Sequence, residues 1–166
     1  QQMPRKFKVS FSGCEADCAQ GLIHDLALIA TRRGGKAGFT VLAGGGLGNA
    51  VLFSIGKALR SAGNRVAYFA AYRSPKDVYH LDDIEAASDQ IVWSVDAGDM
   101  ITPRRPQDRS FRGNVVQAMT AWAKGELGQP VFPMSCVKRI IAIGSDRMMA
   151  AVTKARHEVL APYLNK

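Results

Sequence analysis

The run Phe39-Thr40-Val41-Leu42-Ala43-Gly44-Gly45-Gly46-Leu47-Gly48-Asn49 restricts this chain to a small set of folds. A short, apolar, β-prone stretch enters a glycine cluster, and a helical pattern leaves it through Ala50, Val51, Leu52 and Phe53. A strand that feeds a helix in this way opens a βαβ unit. Glycine tolerates φ > 0 and lets backbone N–H groups approach a ligand with no Cβ in the way. The first turn of the next helix adds unpaired N–H groups and a partial positive charge, so the same turn can seat a diphosphate. The spacing Gly44-x-Gly46-Leu47-Gly48 brings its last glycine one residue earlier than G-x-G-x-x-G. A tight turn with no ligand therefore stays open beside the phosphate reading.

The rest of the chain repeats the alternation. Lys6-Phe7-Lys8-Val9-Ser10-Phe11 predicts a half-buried strand. Leu22, Ile23, Leu26, Ile29 and Ala30 predict a helix over 15–33, closed by Gly34-Gly35. Further strands are expected at 39–43, 65–70, 90–95 and 139–143. Helices are expected at 50–62, within 76–88, around 113–126 and from about 147 to 160, and a loop carries Pro103 and Pro106. Strands alternating with helices predict an α/β fold, a Rossmann-like three-layer αβα sandwich whose mainly parallel sheet has about five strands. At 166 residues this is one domain.

Composition narrows the function classes. Lys and Arg number 22 against 14 Asp and Glu, giving +8, which suits phosphorylated ligands or acidic partners. The cations are scattered or paired (Arg5-Lys6, Arg32-Arg33, Arg104-Arg105, Lys138-Arg139) and no nucleic-acid module accompanies them, so no nucleic-acid partner is expected. No apolar run approaches the roughly 20 residues of a membrane span and no signal-peptide core is seen, so a cytoplasmic setting with no membrane partner is expected. Cys14 and Cys18 are spaced C-x3-C, with His24 and Asp25 nearby, which raises a metal or cluster reading. Thiolate iron–sulfur sites usually need four cysteines and only Cys136 remains, so no metal site is expected.

From Gly44 onward the chain resembles the NAD(P)-binding domain of the ferredoxin–NADP reductase superfamily. The residues that carry the likeness are Gly44-Gly45-Gly46-Leu47-Gly48, Tyr68-Phe69-Ala70-Ala71-Tyr72-Arg73-Ser74-Pro75-Lys76-Asp77 and Ile143-Gly144-Ser145-Asp146-Arg147-Met148-Met149. In that family a Cys-Gly-Pro-x-x-Met segment lines the nicotinamide pocket. Here Ile143 stands at the cysteine and Ser145 at the proline, departures that bear on hydride transfer more than on nucleotide binding. From Pro4 to Gly48 the chain resembles a siroheme-dependent sulfite or nitrite reductase, through Pro4-Arg5-Lys6-Phe7-Lys8-Val9-Ser10-Phe11-Ser12-Gly13-Cys14, His24-Asp25-Leu26, Gly38-Phe39-Thr40-Val41 and the shared glycine run. The two likenesses imply a composite chain, engineered or recombined, with its crossover within about 41–48. Residues 4–43 would then be a reductase-like βα unit packed on the sheet of the nucleotide-binding-type portion, 44–166.

The family implies NAD or NADP as ligand and hydride delivery to a flavin held by another domain or subunit. Neither flavin nor siroheme is expected in this chain alone, and independent turnover is not expected. The rival readings are a chimeric scaffold with no ligand or activity, a flavin- or siroheme-linked enzyme assembled with partner chains, and a fragment of a siroheme sulfite or nitrite reductase. Gly44, Gly45, Gly46, Leu47 and Gly48 would shape the diphosphate turn, and Asn49 would cap the helix or bond a phosphate. Arg73, just past a strand, could meet an adenosine phosphate, and Asp96, past the next, could accept a ribose hydroxyl or simply form a turn. Gly144, Ser145 and Asp146 make a second strand-to-helix turn, read either as an N-cap or as the nicotinamide side of the site. An exposed sheet edge left by the join could pair with a second copy as a homodimer.

Overall fold

A computed structural model of the chain describes residues 9–12, 26–29, 39–45 and 49–165. Strands β1 (Val9–Ser12) and β2 (Leu26–Ile29) run parallel, with Val9 opposite Leu26 and Ser12 opposite Ile29. They form a two-stranded sheet of their own. The second sheet is built by β3 (Phe39–Gly45), α1 (Asn49–Ser61), β4 (Arg65–Tyr72), α2 (Leu81–Ala86), β5 (Gln90–Val95), β6 (Arg109–Arg112), α3 (Val115–Ala123), β7 (Val137–Ile143) and α4 (Asp146–His157). Its five strands are all parallel, in the order β6-β5-β4-β3-β7.

Side-chain alternation along β4 divides the interior into two cores. Val66, Tyr68 and Ala70 pack with Leu52, Ile55 and Leu59 of α1 and Ile84 of α2. Ala67 and Phe69 pack with Val115, Ala118, Met119 and Trp122 of α3 and with Val152 and Ala155 of α4. Every residue of β5 is buried, as a middle strand covered on both faces requires. The chain therefore steps from β3 out to β6 over one face and returns through α3 to β7 over the other. Reversing direction and face together is what right-handed crossovers demand. The reversal leaves a topological switch between β3 and β7, and open α/β sheets bind ligands at the carboxyl ends of strands beside such a switch.

Two expectations are corrected. Leu26-Ala27-Leu28-Ile29, placed in a helix over 15–33, is strand β2. A four-residue apolar run carries no period that separates helix from strand, and pairing with β1 decides it. The stretch after Pro103 and Pro106 was expected to stay a loop until α3, yet Arg109–Arg112 is β6, an edge strand beside β5. The prolines lie just upstream, where they cost no ladder hydrogen bond. Most of the reductase-like residues, including Cys14, Cys18, His24 and Asp25, lie outside the described residues.

The loop that leads into β6 is pinned by a buried ion pair. Arg105 clasps Asp108 through two contacts of 2.8 Å, and Asp108 Oδ1 also accepts from the Ile91 N–H at 2.8 Å. The Arg105 guanidinium donates as well to the carbonyls of Glu85 and Ser88, which ties the loop to the end of α2.

Candidate functional site

Three strand ends and two helix starts converge at the carboxyl edge of the sheet. Gly44 and Gly45, expected in the turn, belong instead to β3, opposite Ala70 and Ala71 of β4, with Gly44 also opposite Ile143 of β7. Paired strands on both sides hold these two glycines in the ladder, where each hydrogen bond offsets the entropy that glycine loses. Gly46, Leu47 and Gly48, also expected in the turn, lie outside the described residues. Asn49 begins α1.

The loops after β4 and β5 are laced together. The Asp96 N–H donates to the Tyr72 carbonyl at 3.2 Å and the Ala97 N–H to the Arg73 carbonyl at 3.0 Å. These bonds hold Arg73 and Asp96 side by side at adjacent strand ends. Past β7, Ser145 is the N-cap of α4, its hydroxyl accepting from the Met148 N–H at 3.3 Å. Gly144 joins strand to cap, and the exposed Asp146 opens the helix, where a negative charge suits the dipole.

Asn114 caps α3 reciprocally. Its side chain accepts from the Gln117 N–H and the Gln117 side chain accepts from the Asn114 N–H, both at 3.0 Å. Gly113 makes this turn possible, with φ of +138° and no room for a side chain: a Cβ there would lie 2.6 Å from Gln117 Oε1 and 2.8 Å from Phe111 Cε1.

These elements line an open cavity of about 1000 Å³. Arg73, Asp96 and Ser145 line it together, although they lie far apart in sequence; Gly144 and Asp146 flank it without lining it. The wall is completed by Tyr72, Asp77 and Tyr79 from the end of β4 and the loop beyond, by Asn114–Gln117, and by the flank of α4 from Arg147 to Glu158. Three cations (Arg73, Arg147, Lys154) face three carboxylates (Asp77, Asp96, Glu158), so the cavity carries little net charge. Asp77 is already engaged by the Ser74 N–H and hydroxyl, at 3.0 and 3.1 Å.

Tyr72, Tyr79, Asn114, Arg147 and Lys154 are lining residues that the sequence reading missed. For Asn114 a signal existed, since Asn followed three residues later by Gln just before an apolar run is a helix-start pattern. Burial, and then the neighbouring Tyr79, push the Tyr72 phenol well above its ordinary pKa, so it stays protonated. Burial does the same for Tyr68. On the far side of Tyr79, hydrogen bonds from Lys57 and then His80 hold the Asp83 carboxyl below the usual carboxylate range.

The chain resembles known proteins in two separate parts. Residues 1–51 match the nitrite and sulphite reductase 4Fe-4S domain family. Over 51 residues the chain is 47% identical to the assimilatory ferredoxin-dependent nitrite reductase of Haloferax mediterranei, a stretch that is 28% of this chain and 9% of that protein. Among solved structures it is similar to an NADH-dependent reduced ferredoxin-NADP oxidoreductase studied for flavin-based electron bifurcation. That likeness has TM-score 0.51 and 23% identity, and covers 73% of this chain and 37% of the other. It is similar also to a C-terminal domain of a Pyrococcus furiosus hydrogenase, with TM-score 0.51, 17% identity, and 79% and 90% of the two chains covered. At such identities the structural likeness is one of fold. The reductase-like match ends at Val51, so it supplies β3 and the first residues of α1 to the five-stranded sheet.

Among the described residues no cluster of His, Cys, Asp or Glu could hold a metal ion, and no helix is long and apolar enough to cross a membrane.

Proposed function

We propose that this chain binds NAD or NADP across the carboxyl edge of its five-stranded sheet, as the nucleotide-binding part of an electron-transfer system. One observation carries the reading: Arg73, Asp96 and Ser145, each chosen from sequence as a nucleotide contact, line a single cavity beside the topological switch. Arg73 would meet a phosphate, Asp96 a ribose hydroxyl, and the start of α4 at Ser145 the nicotinamide side. The glycine run that leads from β3 into α1, together with the N-terminus of α1, would take the diphosphate. A bound dinucleotide supplies hydride chemistry, and a flavin-binding domain or subunit would be its partner. Residues 44–166 form the nucleotide-binding portion of this single α/β domain and 4–43 its reductase-like unit.

The match over residues 1–51 supports a second reading, a fragment of a siroheme sulfite or nitrite reductase. A four-thiolate cluster does not fit this chain by itself, because Cys14, Cys18 and Cys136 are its only cysteines.

Isothermal titration with NADH and NADPH, with Gly46→Val as control, tests the proposal. Saturable binding that the valine abolishes is expected, because its side chain fills the space a diphosphate needs against the backbone. No heat up to millimolar ligand would leave a folded scaffold.

A further inference from the structure

Among the described residues two buried hydroxyls have no hydrogen-bond partner, Tyr72 Oη and Ser94 Oγ. Other buried polar side chains of this sheet are paired: Ser88 to the Ile84 carbonyl, Gln90 to Trp122 and the Gln107 carbonyl, Asp108 to Arg105 and Ile91. A buried hydroxyl left unpaired opposes folding, so each such group calls for an explanation. Both lie near the carboxyl ends of neighbouring middle strands, Ser94 opposite Ala71 and Tyr72 opposite Val95. They differ in one respect. Tyr72 lines the cavity and Ser94 does not.

We propose that the Tyr72 hydroxyl is a ligand-binding group, held unpaired in the free protein and donating to an oxygen or ring-nitrogen acceptor of the bound nucleotide. The inference rests on the nucleotide reading above. Tyr72 is 4% exposed and fixed in place, its ring stacked 6.4 Å from Trp93 at 25°. A side chain so fixed loses little further entropy when it bonds a ligand. Because the phenol remains protonated, it acts as a donor. Closed off as it is, the hydroxyl becomes reachable when a neighbour moves. Tyr79 is that neighbour: it packs edge-on at 6.3 Å, is half-buried, and itself lines the cavity.

The test compares the full chain with its Tyr72→Phe and Ser94→Ala variants, reading melting temperature and affinity for NADH and NADPH. Removing an unpaired buried hydroxyl relieves its desolvation, so both variants should melt at or above the parent temperature. Tyr72→Phe should nonetheless bind the preferred nucleotide about 5-fold more weakly, the worth of one lost hydrogen bond, while Ser94→Ala binds as the parent does. Unchanged affinity in Tyr72→Phe overturns the inference and leaves the nucleotide reading standing. A melting temperature several degrees lower in Tyr72→Phe assigns the hydroxyl a structural partner and also overturns it. If the parent chain binds neither nucleotide, the nucleotide reading fails and the inference falls with it.

Discussion

Replacing Asp108 with alanine is expected to destabilise the fold by about 3–5 kcal/mol, the cost of leaving a buried ion pair without one partner. The Asp108 side chain has no exposure and Arg105 is 21% exposed, so water is poorly placed to take over either group. Besides the two-pronged Arg105 contact, the substitution orphans the Ile91 N–H near the start of β5. It also frees the loop from α2, because the guanidinium that holds the Glu85 and Ser88 carbonyls loses its own anchor. Arg105→Ala should cost a comparable amount, since it strands the carboxylate. The double variant should lose clearly less than the sum, because the two residues act as one unit. Denaturant unfolding of the four proteins measures this cycle. A loss below about 1 kcal/mol for Asp108→Ala would place the pair with solvated surface bridges.

Trp122→Ala is expected to cost a similar amount, about 3–5 kcal/mol, through a different cause. Trp122 is 1% exposed and stands edge-on to Phe69 and Phe132, with ring centroids 5.6 and 5.7 Å away. It fills the space between α3 and the sheet, so alanine leaves a void among side chains already bound to rigid elements. Its indole N–H donates to Gln90 Oε1 at 2.9 Å, and the same oxygen accepts from the Val131 N–H at 3.3 Å. Trp122→Phe keeps most of the volume and leaves Gln90 one donor, so it should lose about 2 kcal/mol, chiefly through imperfect packing. Equal losses for the two variants would show that the hydrogen bond, rather than the volume, holds this core together.

Where local pattern and tertiary pairing agree, the sequence reading succeeds. Val66 to Ala70 and Ile91 to Trp93 are apolar runs because their strands are covered on both faces, and α1 stands at 49–61 beside the expected 50–62. Where pairing alone decides, the reading fails. Leu26–Ile29 is a strand because β1 pairs with it. Arg109–Arg112 has too few apolar residues to announce itself, and becomes a strand because β5 offers an open edge. Gly44 and Gly45 show the same limit, since glycine composition suggests a turn and the ladder extends through both.

The candidate site divides in the same way. Arg73, Asp96 and Ser145 line the cavity together because each follows a strand of the sheet, a placement that the strand pattern carries. Arg147 and Lys154 belong to the cavity through the flank that α4 turns toward α3, a relation between two helices that neither one's sequence contains. Tyr72 and Tyr79 read as strand and loop residues until the fold places them in the cavity wall.

The most direct measurement of the central claim is an amide-resolved NMR titration of the isotopically labelled chain with NADH and then NADPH. Saturable shifts are expected at Ala71, Tyr72, Arg73, Asp96 and Ser145 and along the first turn of α4, with residues at the amino edge of the sheet unmoved. Shifts scattered over the surface without saturation, or none at millimolar nucleotide, would contradict it.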